Sequence, residues 1–278
     1  MSAAVLRVLV NGAAGDCLST RDRGLLYGDG LFETMAVRDG IPRHWSRHLE
    51  RLQLGCARLG IAPPAAALLR EEAAVLCRDA ARAVLKILVT RGTGGRGYRP
   101  DPAAVPTRIL QLHPYPDWPA DYAQQGVCVR ICSERLARNP RLAGIKHLNR
   151  LEQVLARAEW DDPAIAEGLM QDARGNIVEG TMSNILMLRD EVLSTPDLTH
   201  CGVAGVTRAL ILELAAQAGI PVRIRDIPLA ELDTADEVML CNSLIGIWPV
   251  TRIAERCYPA GRIAPYLQAL LQAQPDES

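Results

Sequence analysis

Lysine is scarce in this chain, and this scarcity marks each of its lysines as a candidate for amine chemistry. Lysines and arginines together number 31, yet only Lys86 and Lys146 are lysines. A guanidinium stays protonated, whereas the ε-amine of lysine can lose its proton and form a Schiff base. A sequence that uses arginine wherever a cation suffices therefore leaves these two residues as candidate nucleophiles.

The surroundings of the two lysines favour Lys146. It lies in the segment GIKHLNRLEQVL, where we expect an extended stretch over residues 142–145 and a helix that begins at Arg150 with Asn149 as its N-cap. Lys146 is therefore predicted at the mouth of a helix. Lys86 lies inside the apolar segment AVLKILVT, where a strand lysine would point to solvent or extend its ammonium past an edge.

Two further segments contain groups that a phosphorylated cofactor with a basic ring nitrogen would need. Glu179 is an isolated carboxylate after a turn at residues 174–176. Such a residue usually just ends a strand, but it could also keep a ring nitrogen protonated. The glycine turn Gly202–Thr207 precedes a predicted helix, whose free N–H groups suit a phosphate. Together with a scarce lysine, these segments indicate a site for pyridoxal phosphate (PLP).

The glycine-rich segment RGTGGRGY, residues 91–98, satisfies the pattern G-x-G-x-x-G after a predicted strand. Prolines follow it closely, so no helix can present its amino terminus to a pyrophosphate, and a dinucleotide site is not predicted. Arg91, Arg96 and Arg99 could bind carboxylates, or the segment could be a flexible surface turn. The sequence leaves both interpretations open.

Metal sites are less consistent with the sequence. His44 and His48 are four residues apart on a predicted helix, but the glutamate of the H-E-x-x-H motif and a third ligand are missing. The eight cysteines contain no C-x-x-C pair, so buried reduced thiols are expected. Arg51, one turn beyond His48, could bind a phosphate through its forked donors, although a surface cation is the commoner role.

The elements that position these residues are expected to form two α/β (α+β) domains that face each other across a cleft. The segment HPYPDWPAD contains three prolines and is predicted as a linker over residues 113–121, between an N-terminal α/β domain (1–112) and a C-terminal cofactor-binding domain (122–278). Periodicity predicts strands over residues 5–10, 31–38, 83–90, 107–113, 126–132, 168–171, 177–179, 183–188, 237–241 and 246–250, and helices over 44–59, 65–83, 149–160, 206–219 and 263–273.

The bulk properties predict a cytoplasmic protein that acts on small molecules. The formal net charge is −1 and the isoelectric point is about 6.5. This balance does not suit a surface that binds nucleic acid or an anionic membrane. Residues 1–10 lack the apolar run of a signal peptide, and no apolar segment reaches the length of a membrane span.

Several motifs together resemble the fold type IV PLP enzymes over nearly the whole chain. This family includes branched-chain aminotransferases, D-amino acid transaminases and aminodeoxychorismate lyases, and the segments RGTGGRGY and NPRLAGIKHLNRLEQVL are similar to its lyase branch. The motifs are NGxxG (11–15), DRGLLYGDGLFET (22–34), HLERL (48–52), LVTRGTGGRGY (88–98), NPRLAGIKHLNRLEQVLAR (139–157), VEGTMSN (178–184), GVAGVTR (202–208) and CNSLIGIWPV (241–250).

The resemblance implies PLP as the cofactor, with Lys146 as the lysine linked to it and Glu179 as the partner of its ring nitrogen. Some relatives have threonine where this chain reads Asn242-Ser243-Leu244, which leaves that part of the phosphate site open. The phosphate ligands implied are Arg51, the backbone of Val206, Thr207, Asn242 and Ser243. The substrate residues implied are Arg91, Arg96 and Tyr98 for carboxylates, with Tyr27 and Thr34 in the pocket.

The activity implied is the conversion of 4-amino-4-deoxychorismate to 4-aminobenzoate and pyruvate, in folate synthesis, by a homodimer. An amino acid aminotransferase on the same scaffold would share the lysine, the glutamate and the cofactor. A protein that binds PLP or another ligand without turnover is the alternative from a different class.

Overall fold

The structure, a computed structural model, describes residues 7–259 and 261–274. Contacts divide these residues into two compact units. The first unit contains the described residues up to Asp117 together with Ile145–Asn149, and the second contains Trp118–Gly144 and the described residues from Arg150 onward. Both units combine strands with helices, which confirms the predicted α/β (α+β) class.

The first unit is built on a six-stranded antiparallel sheet. Its elements are β1 (Arg7–Val10), β2 (Ala13–Ala14), α1 (Arg23–Tyr27), β3 (Gly30–Arg38), β4 (Ile41–Pro42), α2 (Trp45–Leu59), α3 (Ala66–Cys77), β5 (Arg82–Thr90) and β6 (Thr107–Pro114). The strand order is β2-β1-β6-β5-β3-β4, so β3 and β5 lie in the interior of the sheet.

Helix α2 covers the face of β3 that carries its odd-numbered residues. His48, Leu52 and Gly55 fall on one side of α2 because three and four residues make about one turn. Gly55 is required there, since a Cβ at this position would lie 2.7 Å from the side chain of Leu31. The close approach brings α2 against the sheet next to Leu31.

The short segment Ile145–Asn149 joins the first unit by pairing with the free edge of β3. Phe32 donates its N–H to the carbonyl of Lys146 at 2.9 Å, and Leu148 donates to Gly30 at 2.9 Å. Strand β4 pairs only with the far end of β3, so this stretch of edge is open to the segment. These residues fall within the predicted C-terminal domain (122–278), but their backbone hydrogen bonds bind them to the first unit.

The local structure around Lys146 differs from the prediction. Residues 142–143 form a turn, and the next helix begins at Leu151 with Arg150 as its N-cap, so Asn149 is not the cap. Gly28 approaches Asn149 so closely that a Cβ there would lie 2.0 Å from its Oδ1. Lys146 therefore lies on a paired edge segment rather than at the mouth of a helix.

The second unit contains a ten-stranded mixed sheet. Its elements are α4 (Tyr122–Gln125), β7 (Val127–Leu136), α5 (Leu151–Arg157), β8 (Ile165–Asp172), β9 (Asn176–Gly180), β10 (Asn184–Arg189), β11 (Val192–Pro196), α6 (Val206–Gln217), β12 (Val222–Arg225), β13 (Ile227–Pro228), a 3₁₀ helix (Leu229–Thr234), β14 (Glu237–Asn242), β15 (Gly246–Ile253), β16 (Arg256–Cys257) and α7 (Ile263–Gln272). The main strand order is β12-β11-β10-β14-β15-β7-β8-β9-β13, and β16 pairs with β15.

The central strands of this sheet are apolar on both faces. Met239 packs with Ile211 of α6 and Leu267 of α7, whereas its neighbour Leu240 belongs to a second cluster that contains Trp248. Adjacent residues of a strand point to opposite faces, so both faces are covered. The buried sheet supports the turns that leave β9 and β14.

The boundaries of several elements differ from the predictions. Strand β6 extends to Pro114, two residues into the predicted linker, because the end of a strand tolerates proline. Helix α3 ends at Cys77, since Asp79 adopts a positive φ of 63° that breaks the helix. Of the strand predicted over residues 5–10, residues 5 and 6 lie outside the described residues. Among the described residues, no helix has both the length and the apolar character of a membrane span.

Candidate active site

Lys146 lies over the face of the first unit's sheet that carries Phe32. The isolated bridge between Leu31 and His147 places Phe32 opposite Lys146, so the two side chains share a face. The Nζ atom of Lys146 is 4.5 Å from the centroid of the Phe32 ring. The predicted nucleophile is therefore held by the sheet edge.

Glu33 points to the opposite face and binds two residues of α2. It is only 1 % exposed. Its Oε2 lies 2.6 Å from Nδ1 of His48, and its two oxygens accept from Nε (2.8 Å) and Nη2 (2.5 Å) of Arg51. Both residues had been considered as ligands, His48 for zinc and Arg51 for phosphate. The role of Arg51 stays a prediction; the structure adds that Glu33 fixes its guanidinium.

The charges of this buried group are set by the contacts among its members. Burial alone would raise the pKa of Glu33, but the charge of Arg51 and the hydrogen bonds from Arg51 and His48 lower it to about 2. Burial lowers the pKa of His48, which Glu33 opposes only in part. At neutral pH, Glu33 is thus ionised and pairs with the Arg51 cation, while His48 is neutral.

Replacing Glu33 with glutamine is expected to lower the free energy of unfolding at pH 7 by about 3 kcal/mol, because Arg51 is left as a buried cation without its carboxylate. The pKa of Glu33 is lowered in the folded state, so its contribution is complete above about pH 4.5 and is lost as the pH falls towards 2. Urea unfolding should therefore show a difference between the two proteins that is constant above that pH and shrinks below it.

Glu72→Gln is the matched control, because Glu72 forms a similar pair with Arg108 in the same unit. The Arg108 side chain is 20 % exposed, compared with 11 % for Arg51, so water can solvate the cation that is left behind. A loss in Glu33→Gln that is no larger than in this control would contradict the prediction.

Arg91, predicted to bind a substrate carboxylate, is committed to contacts within the first unit. It is 8 % exposed, and its Nε and Nη2 donate to the two oxygens of Asp29 at 2.7 and 3.0 Å. The same guanidinium donates to the carbonyls of Gly60 (2.7 Å) and Leu59 (2.8 Å). We therefore withdraw Arg91 as a carboxylate ligand and assign it a positioning role.

Arg23 fixes the other end of the glycine-rich segment. Its Nε donates to Asp29 at 2.8 Å, and its remaining nitrogens donate to the carbonyls of Gly97 and Tyr98 at 3.0 Å each. Burial would raise the pKa of Asp29, but the hydrogen bonds and charges of Arg91 and Arg23 lower it. Because one carboxylate joins both arginines, residues 91–98 are anchored at each end and are not a flexible turn.

The other predicted substrate residues lie nearer the surface. Arg96 and Arg99 are exposed, and Tyr98 is 83 % exposed with its ring centroid 5.4 Å from that of Tyr27. Thr34 lies on the same face of β3 as Phe32 and is half-buried. These residues remain predictions for substrate binding.

In the second unit, Glu179 is buried at the end of β9 and closes on the glycine turn. Its Oε2 accepts the N–H of Val203 at 2.8 Å. Gly202 has a φ of +83°, and a Cβ there would lie 3.2 Å from the same oxygen. The turn therefore needs glycine both for its backbone conformation and for its close approach to the carboxylate.

The first turn of α6 carries no side-chain cap. Gly205 is the N-cap, and a Cβ there would lie 1.9 Å from Oδ1 of Asn184. The hydroxyls of Thr207 and Ser243 lie 3.3 Å apart near this turn. Backbone N–H groups of an uncapped helix start, including that of Val206, together with two hydroxyls are suited to a phosphate.

Asn242, predicted as a phosphate ligand, instead shapes the turn after β14. Its Oδ1 accepts the N–H groups of Leu244 (2.8 Å) and Ile245 (2.9 Å), and its Nδ2 donates to the carbonyl of Met182 (3.0 Å). Both ends of the amide are therefore used within the protein. Of this pair, Ser243 is the residue that we retain for the phosphate.

Glu167 was not singled out from the sequence, although it organises the turn after Glu179. This buried carboxylate accepts from the N–H and hydroxyl of Thr181 (3.1 and 2.5 Å), the N–H of Met182 (3.1 Å) and the hydroxyl of Ser183 (2.8 Å). An acid inside the apolar strand β8 was the signal that could have identified it.

Comparison with known proteins identifies the family. The model of amino-transferase class IV matches residues 30–253, a range that contains both Lys146 and Glu179. The chain belongs to the class IV aminotransferase family. This result confirms the resemblance to the fold type IV PLP enzymes that the motifs indicated.

The class IV chain is similar both to lyases and to aminotransferases. It is 36 % identical over 266 residues to aminodeoxychorismate lyase of Vibrio harveyi, covering 94 % of this chain and 98 % of the relative. It is 31 % identical over 245 residues to a putative branched-chain-amino-acid aminotransferase of Methanocaldococcus jannaschii (86 % and 83 %). The crystal structure of 4-amino-4-deoxychorismate lyase from Pseudomonas aeruginosa is 54 % identical, covers 95 % of this chain and 98 % of that chain, and has a TM-score of 0.92.

Proposed function

We propose that this class IV protein is a PLP-dependent carbon–oxygen lyase that converts 4-amino-4-deoxychorismate to 4-aminobenzoate and pyruvate, a step in folate synthesis. The observation that carries the proposal is the 54 % identity to the Pseudomonas aeruginosa lyase over 95 % of the chain. The relative named as an aminotransferase is similar at 31 %. The similarity is therefore higher towards the lyases.

The donors described above fit PLP. Lys146 supplies an amine for the covalent link, and Glu179 supplies a buried carboxylate for the ring nitrogen. In the second unit, the uncapped start of α6, with the hydroxyls of Thr207 and Ser243, suits the phosphate. The family resemblance implies Arg51 as a further phosphate ligand. When bound, PLP supplies an electron-withdrawing ring that stabilises negative charge at the substrate carbon bearing the amino group.

Lys146 is the residue that moves the proton in the proposed reaction. Its ε-amine accepts the proton from C4 of the substrate, a role suited to a side chain next to the reacting carbon. The C3–O bond then breaks, the electron pair leaves with the enolpyruvate oxygen, and the ring becomes aromatic. The departing enolate takes up a proton at its methylene carbon and becomes pyruvate.

The decisive test measures pyruvate from 4-amino-4-deoxychorismate with purified holoenzyme and no added keto acid. The lyase should form pyruvate and 4-aminobenzoate in equal amounts over many turnovers. Incubation with glutamate or D-alanine tests the alternative, since an aminotransferase should convert its cofactor stoichiometrically to the pyridoxamine form. Conversion of the cofactor by an amino donor, together with no pyruvate from 4-amino-4-deoxychorismate in the separate lyase assay, would overturn the proposed function.

We further propose a cytoplasmic homodimer. Leu151, Val154 and Leu155 of α5 are each more than half exposed, and three apolar residues at helical spacing form a face that a second subunit could cover. All eight cysteines lie within the described residues and are unpaired, which suits a reducing compartment. Sedimentation of the holoenzyme should give twice the chain mass.

A further inference from the structure

Lys86, the chain's second lysine, lies on the same sheet face as Lys146. In the register of β3 and β5, Thr34 is opposite Lys86 and Phe32 is opposite Leu88, so all four side chains share that face. The Nζ of Lys86 is 5.2 Å from the centroid of the Phe32 ring. Phe32 is the chain's one phenylalanine, and both lysines approach it.

This position differs from the expected one. Lys86 was predicted to point to solvent or past a sheet edge, yet β5 lies between β3 and β6 in the sheet interior, and the side chain is partly buried. The two distances to the shared ring limit the separation of the two ammonium groups to about 10 Å. Lys86 is therefore near the amine that the proposed reaction uses.

Lys86 has no acidic partner among the described residues. Burial lowers its pKa, and no carboxylate acts to raise it. The polar side chains next to Lys86 on the neighbouring strand β6 are not carboxylates: Gln111 lies opposite Lys86, and its Oε1 is 3.2 Å from Nε2 of His113. Burial and the charge of Lys86 both lower the pKa of His113, so it adds no compensating charge. The contact with the Phe32 ring compensates the cation only in part.

We propose that Lys86 is a specificity-determining residue that binds a carboxylate of the substrate. The inference rests on the proposed function, whose substrate carries two carboxylates. Arg91 is already paired with Asp29, so Lys86 is the cation near Lys146 whose charge is not balanced within the described residues. A cyclohexadiene ring with two carboxylates can reach both lysines across the separation given above.

The test compares the wild-type holoenzyme with Lys86→Gln and Lys86→Arg. Removing the charge should raise KM for 4-amino-4-deoxychorismate by about 10- to 100-fold, as expected for the loss of a hydrogen bond to a charged group, with kcat changed much less. The visible absorption of the bound cofactor should not change. Lys86→Arg should recover most of the lost affinity, because it restores the positive charge.

Arg82→Gln is the matched control. Arg82 lies on the same strand and the same face, but its guanidinium stacks over Tyr115 at 4.0 Å and is exposed. Its removal should leave KM unchanged. A KM shift of the same size in this control would show a general charge effect and overturn the inference.

Product inhibition identifies the carboxylate involved. The ring carboxylate remains on 4-aminobenzoate, and the other leaves on pyruvate, so weaker inhibition of Lys86→Gln by one of these products supports the inference and assigns the contact. Unchanged KM and unchanged inhibition by both would overturn it.

If the wild type forms no pyruvate, the proposed function fails separately. Binding of 4-aminobenzoate and of pyruvate, followed by the cofactor spectrum, then decides the role of Lys86: weaker binding of either to Lys86→Gln supports it, and equal binding of both overturns it.

Discussion

Lys146→Ala is expected to lose the covalent link to the cofactor and to reduce turnover by at least about 1000-fold, since both the linking amine and the proton carrier are removed. Lys146 has a defined place for this role, paired through its carbonyl to Phe32 and held with Nζ over the same ring. Its side chain is therefore positioned by backbone hydrogen bonds that the substitution leaves intact, and folding should be preserved.

The measurement is reduction of the holoenzyme with borohydride, followed by proteolysis and mass spectrometry. The cofactor mass should appear on the peptide that contains Lys146 and not on the one that contains Lys86. Lys86→Arg is the control, because it removes the other lysine and should retain the label. A label on Lys86, or full turnover in Lys146→Ala, would refute the assignment of the nucleophile.

Glu179→Gln is expected to reduce turnover by about 100- to 1000-fold while the cofactor remains attached to Lys146. A neutral amide cannot hold the ring nitrogen protonated as a carboxylate does, so the ring withdraws electrons less well. The glutamine oxygen can still accept the N–H of Val203, so the glycine turn should keep its shape. Turnover should therefore fall much more than cofactor affinity.

Glu237→Gln separates this electronic effect from the loss of any buried carboxylate. Glu237 is also buried in the second unit, where it accepts the N–H groups of Arg262, Ile263 and Ala264 at the start of α7. Its substitution should lower stability and leave turnover unchanged. Comparable turnover losses in both variants, or wild-type turnover in Glu179→Gln, would show that Glu179 does not act on the ring.

The sequence predicts most of the regular elements because their apolar periodicity is strong. The helix over residues 44–59 and the strands over 83–90 and 237–241 agree with α2, β5 and β14 to within one residue at each end. Strands β11 and β12 were not predicted. Strand β12 is half exposed, and it pairs in parallel with β11, which is distant from it along the chain. Helix α1 has five residues, which are too few for a hydrophobic period to appear.

The sequence predicted which residues could form the candidate site better than it predicted which residues contact one another there. Motifs could predict Lys146, Glu179 and the glycine turn as site residues, because each prediction depends on a local feature of the chain. The roles of Arg91 and Lys86 depend on whether each cation is paired with a carboxylate in the folded protein. The sequence does not show this pairing, because Asp29, the partner of Arg91, lies 62 residues away along the chain. Glu33 was missed for the same reason, since its partners on α2 become neighbours only when the helix packs on the sheet.

The pairing of Ile145–Asn149 with β3 also constrains the order in which the chain can fold. During synthesis, the sheet of the first unit cannot complete this edge until the segment 28 residues or more beyond Asp117 has emerged. A fragment that ends at Asp117 would leave the N–H of Phe32 and the carbonyl of Gly30 without their partners, on an open strand edge of the kind that promotes aggregation. The nascent first unit therefore acquires its complete edge and its candidate nucleophile in the same step.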